Sequence, residues 1–99
     1  MPRRVQLSRR ARNWLDDHTD YLLTRSPPAA ARAEERILNA LRQLVAFPHS
    51  GARGPSLGTR RLVAGPYVLT YREAGPELLI VIDIRHGRQR DALPSDPLA

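Results

Sequence analysis

The sequence of 99 residues contains no cysteine and no long apolar run. Without cysteine it can form neither a disulfide framework nor a thiolate metal site, and because a reducing compartment is the simpler interpretation, we expect a cytoplasmic protein. The longest apolar run, residues 78–82, is far shorter than the ~20 residues of a membrane-spanning helix. The three histidines lack metal-ligand spacing, and Gly51, Gly54 and Gly58 do not match a phosphate-binding loop. We therefore expect no membrane association, no metal and no cofactor.

Lysine is also absent, so all 16 basic residues are arginine, and against 10 acidic residues they give a formal net charge of +6. The planar guanidinium group donates to carboxylates and phosphates alike, so this charge suits an acidic protein partner or a nucleic acid. A genome-wide preference for arginine codons explains the missing lysine equally well. Four of the scarce aromatic residues are predicted to be buried, which leaves few rings to stack on bases: Trp14, Tyr21, Tyr67 and Tyr71. We therefore expect no direct sequence-specific nucleic-acid binding.

Two amphipathic helices are predicted after a short first strand at residues 3–7. Ser8 is placed to cap a helix that ends near Arg25, because the Ser26-Pro27-Pro28 segment interrupts it. The second helix ends before Pro48, and its apolar positions repeat with helical period: Ala30, Ile37, Leu38, Leu41, Leu44 and Val45. Because the break between them is so short, the two helices should form a hairpin.

Three strand-like segments, residues 60–64, 67–72 and 78–85, follow a glycine-rich segment at 49–58 that is predicted to be an exposed loop. The order β-α-α-β-β-β predicts an α+β fold, a small antiparallel sheet packed on one face against an α-helical hairpin. Residues 1–92 are expected to form one domain. Residues 93–99 have no periodicity and are expected to be a flexible C-terminal tail.

The sheet face away from the helices is expected to be an interaction surface. Side chains alternate along a strand, so one side of the last strand suits the core: Leu78, Ile80, Ile82 and Ile84. The opposite side mixes aliphatic and charged groups, namely Leu79, Val81, Asp83 and Arg85. An apolar patch rimmed by charge is typical of a surface that another chain covers. The alternative is that the C-terminal tail folds back over it.

A basic cluster, Arg85-His86-Gly87-Arg88-Gln89-Arg90, ends the last strand. A histidine there could transfer protons in RNA cleavage while arginines stabilise the phosphorane, so a nuclease site would consist of His86, Arg88 and Arg60. A histidine at a strand end is equally often a packing residue, and the sequence offers no partner base. We therefore predict no catalytic residues.

Several short motifs, taken in their order and spacing, resemble the RelE/ParE family of bacterial type II toxin–antitoxin systems. They are Val5-Gln6-Leu7-Ser8 with Ala11, Pro48-x-x-Gly51, Gly58-Thr59-Arg60-Arg61-Leu62-Val63, Pro66-Tyr67-Val68-Leu69-Thr70-Tyr71-Arg72 and Ile84-Arg85-His86-Gly87-Arg88. The resemblance covers residues 3–92, and the fold of that family agrees with the order of elements derived above. It is closest to the ParE branch.

The resemblance implies one of two activities. RelE-like members are ribosome-dependent mRNA endoribonucleases that use lysines before the meander, an arginine directly after the first tyrosine of its Tyr-x-x-x-Tyr strand, and a late arginine and aromatic. Here lysine is absent, Val68 follows Tyr67, and only Arg88 could stand for the late arginine, although His86 could mimic the late histidine of other nuclease branches. ParE-like members share the Pro-Tyr-Val and His-Gly-Arg segments and poison DNA gyrase. The resemblance therefore implies a gyrase-binding growth inhibitor, and the endoribonuclease is the alternative.

The family resemblance also implies a cognate antitoxin that forms a hetero-oligomer with the chain and wraps its helices and sheet. An acidic amphipathic segment would pair with arginines and cover aliphatic side chains of the exposed face. The residues predicted to bind the antitoxin or the target are Arg61, Arg72, Leu79, Val81, Arg85, Arg88 and Arg90.

Overall fold

A computed structural model of the chain describes residues 4–87. Its elements are β1 (Arg4–Leu7), α1 (Arg9–Arg25), α2 (Pro27–Ala46), β2 (Ala52–Arg53), β3 (Thr59–Ala64), β4 (Tyr67–Gly75) and β5 (Leu78–His86). The two helices and the three-strand meander are confirmed. The predicted sites at Arg88 and Arg90 and the predicted tail at 93–99 lie outside the described residues.

Local capping sets the limits of both helices. The Ser8 hydroxyl accepts a hydrogen bond from the Ala11 amide at 3.1 Å, which satisfies one of the free amides in the first turn of α1. Ser26 ends α1 and begins α2, because its amide donates to the Leu22 carbonyl while its hydroxyl accepts from the Ala29 amide. The prolines after Ser26 occupy the first turn of α2, where a missing amide proton costs little. Neither helix of residues 4–87 is long and apolar enough to cross a membrane.

The five strands form one sheet in the order β1-β5-β4-β3-β2. The meander is antiparallel as predicted, whereas β1 pairs in parallel with β5, so the sheet is mixed. The helical hairpin between β1 and the meander supplies the long connection that such a parallel pair requires. The predicted loop at 49–58 also contains β2, a two-residue edge strand that pairs with β3.

The core lies between the helices and one face of the sheet, which we call the covered face. The α2 side chains that pack into it are Ala30, Ala33, Ile37, Ala40 and Leu44. The small alanines bring α2 close to its neighbours. Leu38 and Val45, two of the positions that carried the predicted helical period, are 46% and 40% exposed, because they turn away from the side that the alanines occupy.

The predicted alternation of β5 was also wrong. Leu79 and Val81, placed on the exposed side, are both 0% exposed and belong to the core. The register with β4 shifts between Thr70 and Tyr71, which pair with Asp83 and Val81, so that Ile82 has no direct partner. This bulge inverts the alternation, and it allows Leu79 and Val81 to lie on the covered face together with Ile84.

Candidate functional site

The sheet face opposite the helices, which we call the open face, carries arginines on three neighbouring strands. Cross-strand partners point to the same face, so the register groups its side chains in rows. One row is Arg61, Thr70 and Asp83; the second is Val63, Val68 and Arg85; the third is Thr59, Arg72 and Ile80. The structure therefore brings the predicted Arg61, Arg72 and Arg85 to one face.

The aliphatic part of the open face differs from the prediction. Leu79 and Val81 are sealed in the core and offer nothing to a partner. Val63, which is 67% exposed, and the half-buried Ile80 take their place. The surface remains a mixture of apolar and basic groups. Asp83, the acidic side chain in these rows of residues 4–87, forms an ion pair with Arg10, whose Nε lies 3.1 Å from Asp83 Oδ1.

His86 lies on the covered face, against rings of α1 and β4. Its ring meets Tyr67 edge-on at 5.9 Å between centroids. Tyr67 in turn packs edge-on against His18, which stacks on Trp14 at 4.7 Å. We call these four residues the aromatic clamp, because they join α1 to the first residue of β4 and the last residue of β5.

One hydrogen bond closes the aromatic clamp, between the Tyr67 hydroxyl and His18 Nε2 at 2.8 Å. Burial lowers the pKa of His18 below its ordinary value of 6.5, and the nearby His86 lowers it further. Burial raises the pKa of Tyr67, while Arg36 opposes that effect. Near neutral pH the Tyr67 hydroxyl therefore keeps its proton and donates a hydrogen bond to Nε2 of the neutral His18 imidazole. His18 and Tyr67 are 49 positions apart, so no local pattern connects them in the sequence.

The predicted nuclease residues are not brought together. Arg60 pairs with Tyr71 and His86 pairs with Tyr67, so four strand residues, about 13 Å, separate the two side chains along the sheet. Arg60 instead donates to the carbonyls of Gly51 and His49 at 2.9 and 3.3 Å. Arg88 lies outside the described residues. Within residues 4–87, no three histidine or acidic side chains are grouped to hold a metal ion.

A cleft of about 700 Å³ lies beside the hairpin that β2 and β3 form. Its walls include Arg53, Arg60, His49 and Glu73, and His49 Nε2 lies 3.3 Å from Glu73 Oε1. His49 lies in the predicted loop and was not among the predicted site residues. No local signal could have paired it with Glu73, because the contact joins the loop to a strand 24 positions later.

A second apolar surface lies on the helical hairpin. Leu38 and Val45 are seven positions apart on α2, which places them on the same side of the helix, facing solvent. On α1, Tyr21 and Leu23 are 53% and 49% exposed. The prediction that Tyr21 is buried was therefore wrong; its ring lies under the Arg25 guanidinium at 4.5 Å.

Comparison with known proteins identifies the family. The model of the ParE toxin of type II toxin–antitoxin system, parDE, matches residues 5–91. Toxin RelE3 of Caulobacter vibrioides is 38% identical over 90 residues, which are 87% of this chain and 96% of that protein.

Two solved structures share the fold. The chromosomal ParDE toxin–antitoxin system from P. aeruginosa has a TM-score of 0.71 at 24% identity, over 85% of this chain and 95% of that one. The RelBE2 toxin–antitoxin complex from Mycobacterium tuberculosis has a TM-score of 0.59 at 22% identity, over 87% and 92% of the two chains. With the family match over nearly all described residues, the conclusion is that the chain belongs to the ParE toxin family of type II toxin–antitoxin systems.

Proposed function

We propose that the chain is a toxin that inhibits bacterial growth by binding and poisoning DNA gyrase, and that a cognate antitoxin neutralises it. The observation that carries the choice of binding over RNA cleavage is the separation of His86 from Arg60, four strand positions away, and from the arginines of the open face. His86 packs on the covered face against Tyr67, whereas Arg61 and Arg85 lie on the open face. Acid–base catalysis on RNA needs these groups around one phosphate.

The antitoxin is proposed to cover two surfaces of the toxin. On the open face, acidic side chains would pair with Arg61, Arg72 and Arg85, while apolar ones would cover Val63 and Ile80. On the hairpin, the apolar side of an antitoxin helix would contact the exposed Leu38 and Val45. Both structural relatives are described as toxin–antitoxin systems or complexes, which supports such a partner.

The target is tested by measuring gyrase supercoiling and DNA cleavage with the purified chain, beside cleavage of mRNA on translating ribosomes. Inhibited supercoiling with intact mRNA is the expected result. RNA cleavage that disappears in His86→Ala or Arg88→Ala would instead establish the endoribonuclease, the alternative that the family resemblance implies.

The antitoxin surface is tested by charge reversal and by polar substitution in the purified complex. Arg72→Glu should weaken antitoxin binding by at least about tenfold, since like charges across an interface are strongly unfavourable, and Leu38→Asp should act similarly on the hairpin. Arg32→Glu, at another exposed arginine of α2, is the matched control. Equal affinity for all three variants would contradict the proposed surfaces.

A further inference from the structure

The cleft beside the β2–β3 hairpin has no part in the function proposed above. It lies at the opposite end of β4 from the aromatic clamp, and a smaller recess that Arg72 lines adjoins it. Its walls combine side chains of the loop and of the three strands β2, β3 and β4 with the tight turn at residues 54–59. The cleft is open to solvent, so a chain can lie in it without being enclosed.

Positive charge predominates in the cleft. Arg53 and Arg60 line it, and Arg72 lines the adjoining recess. Among the described residues that line the cleft, Glu73 has the only carboxylate, and His49 Nε2 lies 3.3 Å from it. All of the fixed cations are guanidinium groups, whose forked donors match the oxygens of a phosphate.

The cleft is held in shape by hydrogen bonds that do not involve a ligand. Tyr71 of the core accepts from the Gly51 amide at 3.0 Å, and the Gly51 carbonyl accepts from Arg60 at 2.9 Å. In the turn, the Thr59 hydroxyl donates to the Ser56 carbonyl at 2.6 Å. Arg60 is thereby fixed before a ligand arrives, which lowers the entropic cost of binding.

The composition of the walls favours a phosphate chain over an acidic protein segment. An amphipathic peptide needs an apolar groove, yet the Leu57 side chain is fully exposed at the tip of the hairpin and forms no such groove. A phosphodiester backbone needs mainly positive charge and polar donors. We propose that this cleft is a phosphate-binding site that takes the sugar–phosphate backbone of a nucleic acid without reading its bases.

The proposed site goes beyond the toxin's target and does not depend on it. Gyrase works on DNA and a translating ribosome holds mRNA, so either target presents a nucleic-acid backbone to a bound toxin. The site shares Arg60 with the nuclease residues that the family resemblance implies, and its adjoining recess shares Arg72 with the open face. Arg53 and His49 belong to neither of those sets. A negative gyrase assay would not contradict the phosphate site, and failure of the cleft to bind phosphate or DNA would not contradict gyrase as the target.

The first test is NMR titration of the full chain with inorganic phosphate and, separately, with a twelve-nucleotide single-stranded DNA. Both are expected to shift the amide signals of Gly54, Ser56 and Gly58, with the DNA acting at the lower concentration. Shifts caused by phosphate alone would reassign the cleft to a free anion and overturn the nucleic-acid assignment. Shifts caused only by an oligoglutamate peptide would overturn it in favour of an acidic protein segment.

The second test compares Arg53→Gln with Arg32→Gln by fluorescence anisotropy with the same DNA over a range of salt. Both arginines are exposed, so each variant removes one surface charge and should fold normally. Arg53→Gln should weaken binding roughly three- to tenfold and reduce the slope of log affinity against log salt by about 0.7, the value for one phosphate contact on a single strand. Equal losses in the two variants would show that the net charge alone attracts the DNA, and would overturn the site.

Discussion

The two tyrosines of β4 lie towards opposite ends of the sheet, and their hydrogen-bond partners differ. Tyr67 and Tyr71 lie on the same face of the same strand, and they are only 5% and 1% exposed. Each hydroxyl has one hydrogen-bond partner, but that of Tyr67 is the titratable ring of His18, whereas that of Tyr71 is the backbone amide of Gly51. One end of the sheet is therefore joined to the helices through a titratable group whose pKa burial lowers, and the other is joined to the loop through a backbone amide that does not titrate.

The cross-strand neighbours extend this difference. Tyr71 lies opposite the fully buried Val81, and Tyr67 lies opposite the half-buried His86. The Tyr71 side is thus sealed and apolar beneath an exposed, basic cleft, while the aromatic clamp is polar and partly open. We call the buried hydrogen bond between the Gly51 amide and the Tyr71 hydroxyl the Gly51 anchor. Because this bond is buried, the residues of the cleft above it can vary in charge with little effect on the fold. The phosphate site is proposed in that cleft.

The largest effect is expected from a charge placed opposite Tyr71. Val81→Asp would bury a carboxylate without a partner and should lower the free energy of unfolding by roughly 4 kcal/mol or more, enough to unfold a small domain. Val63→Asp makes the same change at a 67% exposed strand position and should cost less than about 1 kcal/mol. Circular dichroism would show whether each variant folds, and urea unfolding would measure the change in its free energy of unfolding. A folded Val81→Asp protein with near-normal stability would mean that Val81 is not part of the core.

The contrast between Val81 and Val63 also marks what the sequence could and could not predict. Helix limits were predictable because their causes are local, a serine that caps each helix and the proline after α2. Which side chains of β5 lie on the covered face was not predictable. Leu79 and Val81 lie beyond a bulge, and only the pairing with β4 reveals that bulge. On α2, whether the alanines or the larger apolar residues are buried depends on how closely the helix packs against its neighbours, which the sequence does not show.

Contacts distant in sequence were equally inaccessible. The predicted importance of His86 rested on neighbouring arginines, whereas its observed contact is the Tyr67 ring across the sheet. The arginines of the open face could be anticipated in part, since Arg61 and Arg72 belong to strands that were correctly located. Their grouping with Arg85 needed only the antiparallel register, which the meander implied.

A smaller effect is expected from removing each tyrosine hydroxyl. Tyr71→Phe leaves the buried Gly51 amide without an acceptor and should cost about 1–3 kcal/mol. Tyr67→Phe should cost about 0.5–1.5 kcal/mol, because the partly exposed His18 ring can bond to water instead. Urea unfolding at pH 7.5 measures both values. If Tyr67→Phe lowered the free energy of unfolding more than Tyr71→Phe, the hydrogen bond of the aromatic clamp would contribute more to stability than the Gly51 anchor, against this prediction.

The third prediction concerns the pH dependence of the aromatic clamp. Unfolded His18 takes up a proton near its ordinary pKa of 6.5, and folded His18 does so only at lower pH. Between these two values the unfolded state holds more protons, so stability should fall as the pH falls below about 6.5. His18→Gln should reduce this slope, while His49→Gln, in an exposed side chain, should retain it. Unchanged pH dependence in His18→Gln would remove His18 as its source.

The smallest effect is expected at the cleft, where His49 and Glu73 have side chains that are 57% and 55% exposed. A polar contact between two side chains this exposed is weakened by solvent, so His49→Gln should change the free energy of unfolding by less than about 0.5 kcal/mol at pH 7.5. The same variant can still change anion binding, because His49 is the neighbour of the only carboxylate among the described wall residues. For His49→Gln, urea unfolding should therefore show almost no change in stability, whereas the DNA titration should show a change in affinity. A loss of stability as large as that of Tyr71→Phe would show that the loop depends on His49, and that the cleft is not independent of the anchor beneath it.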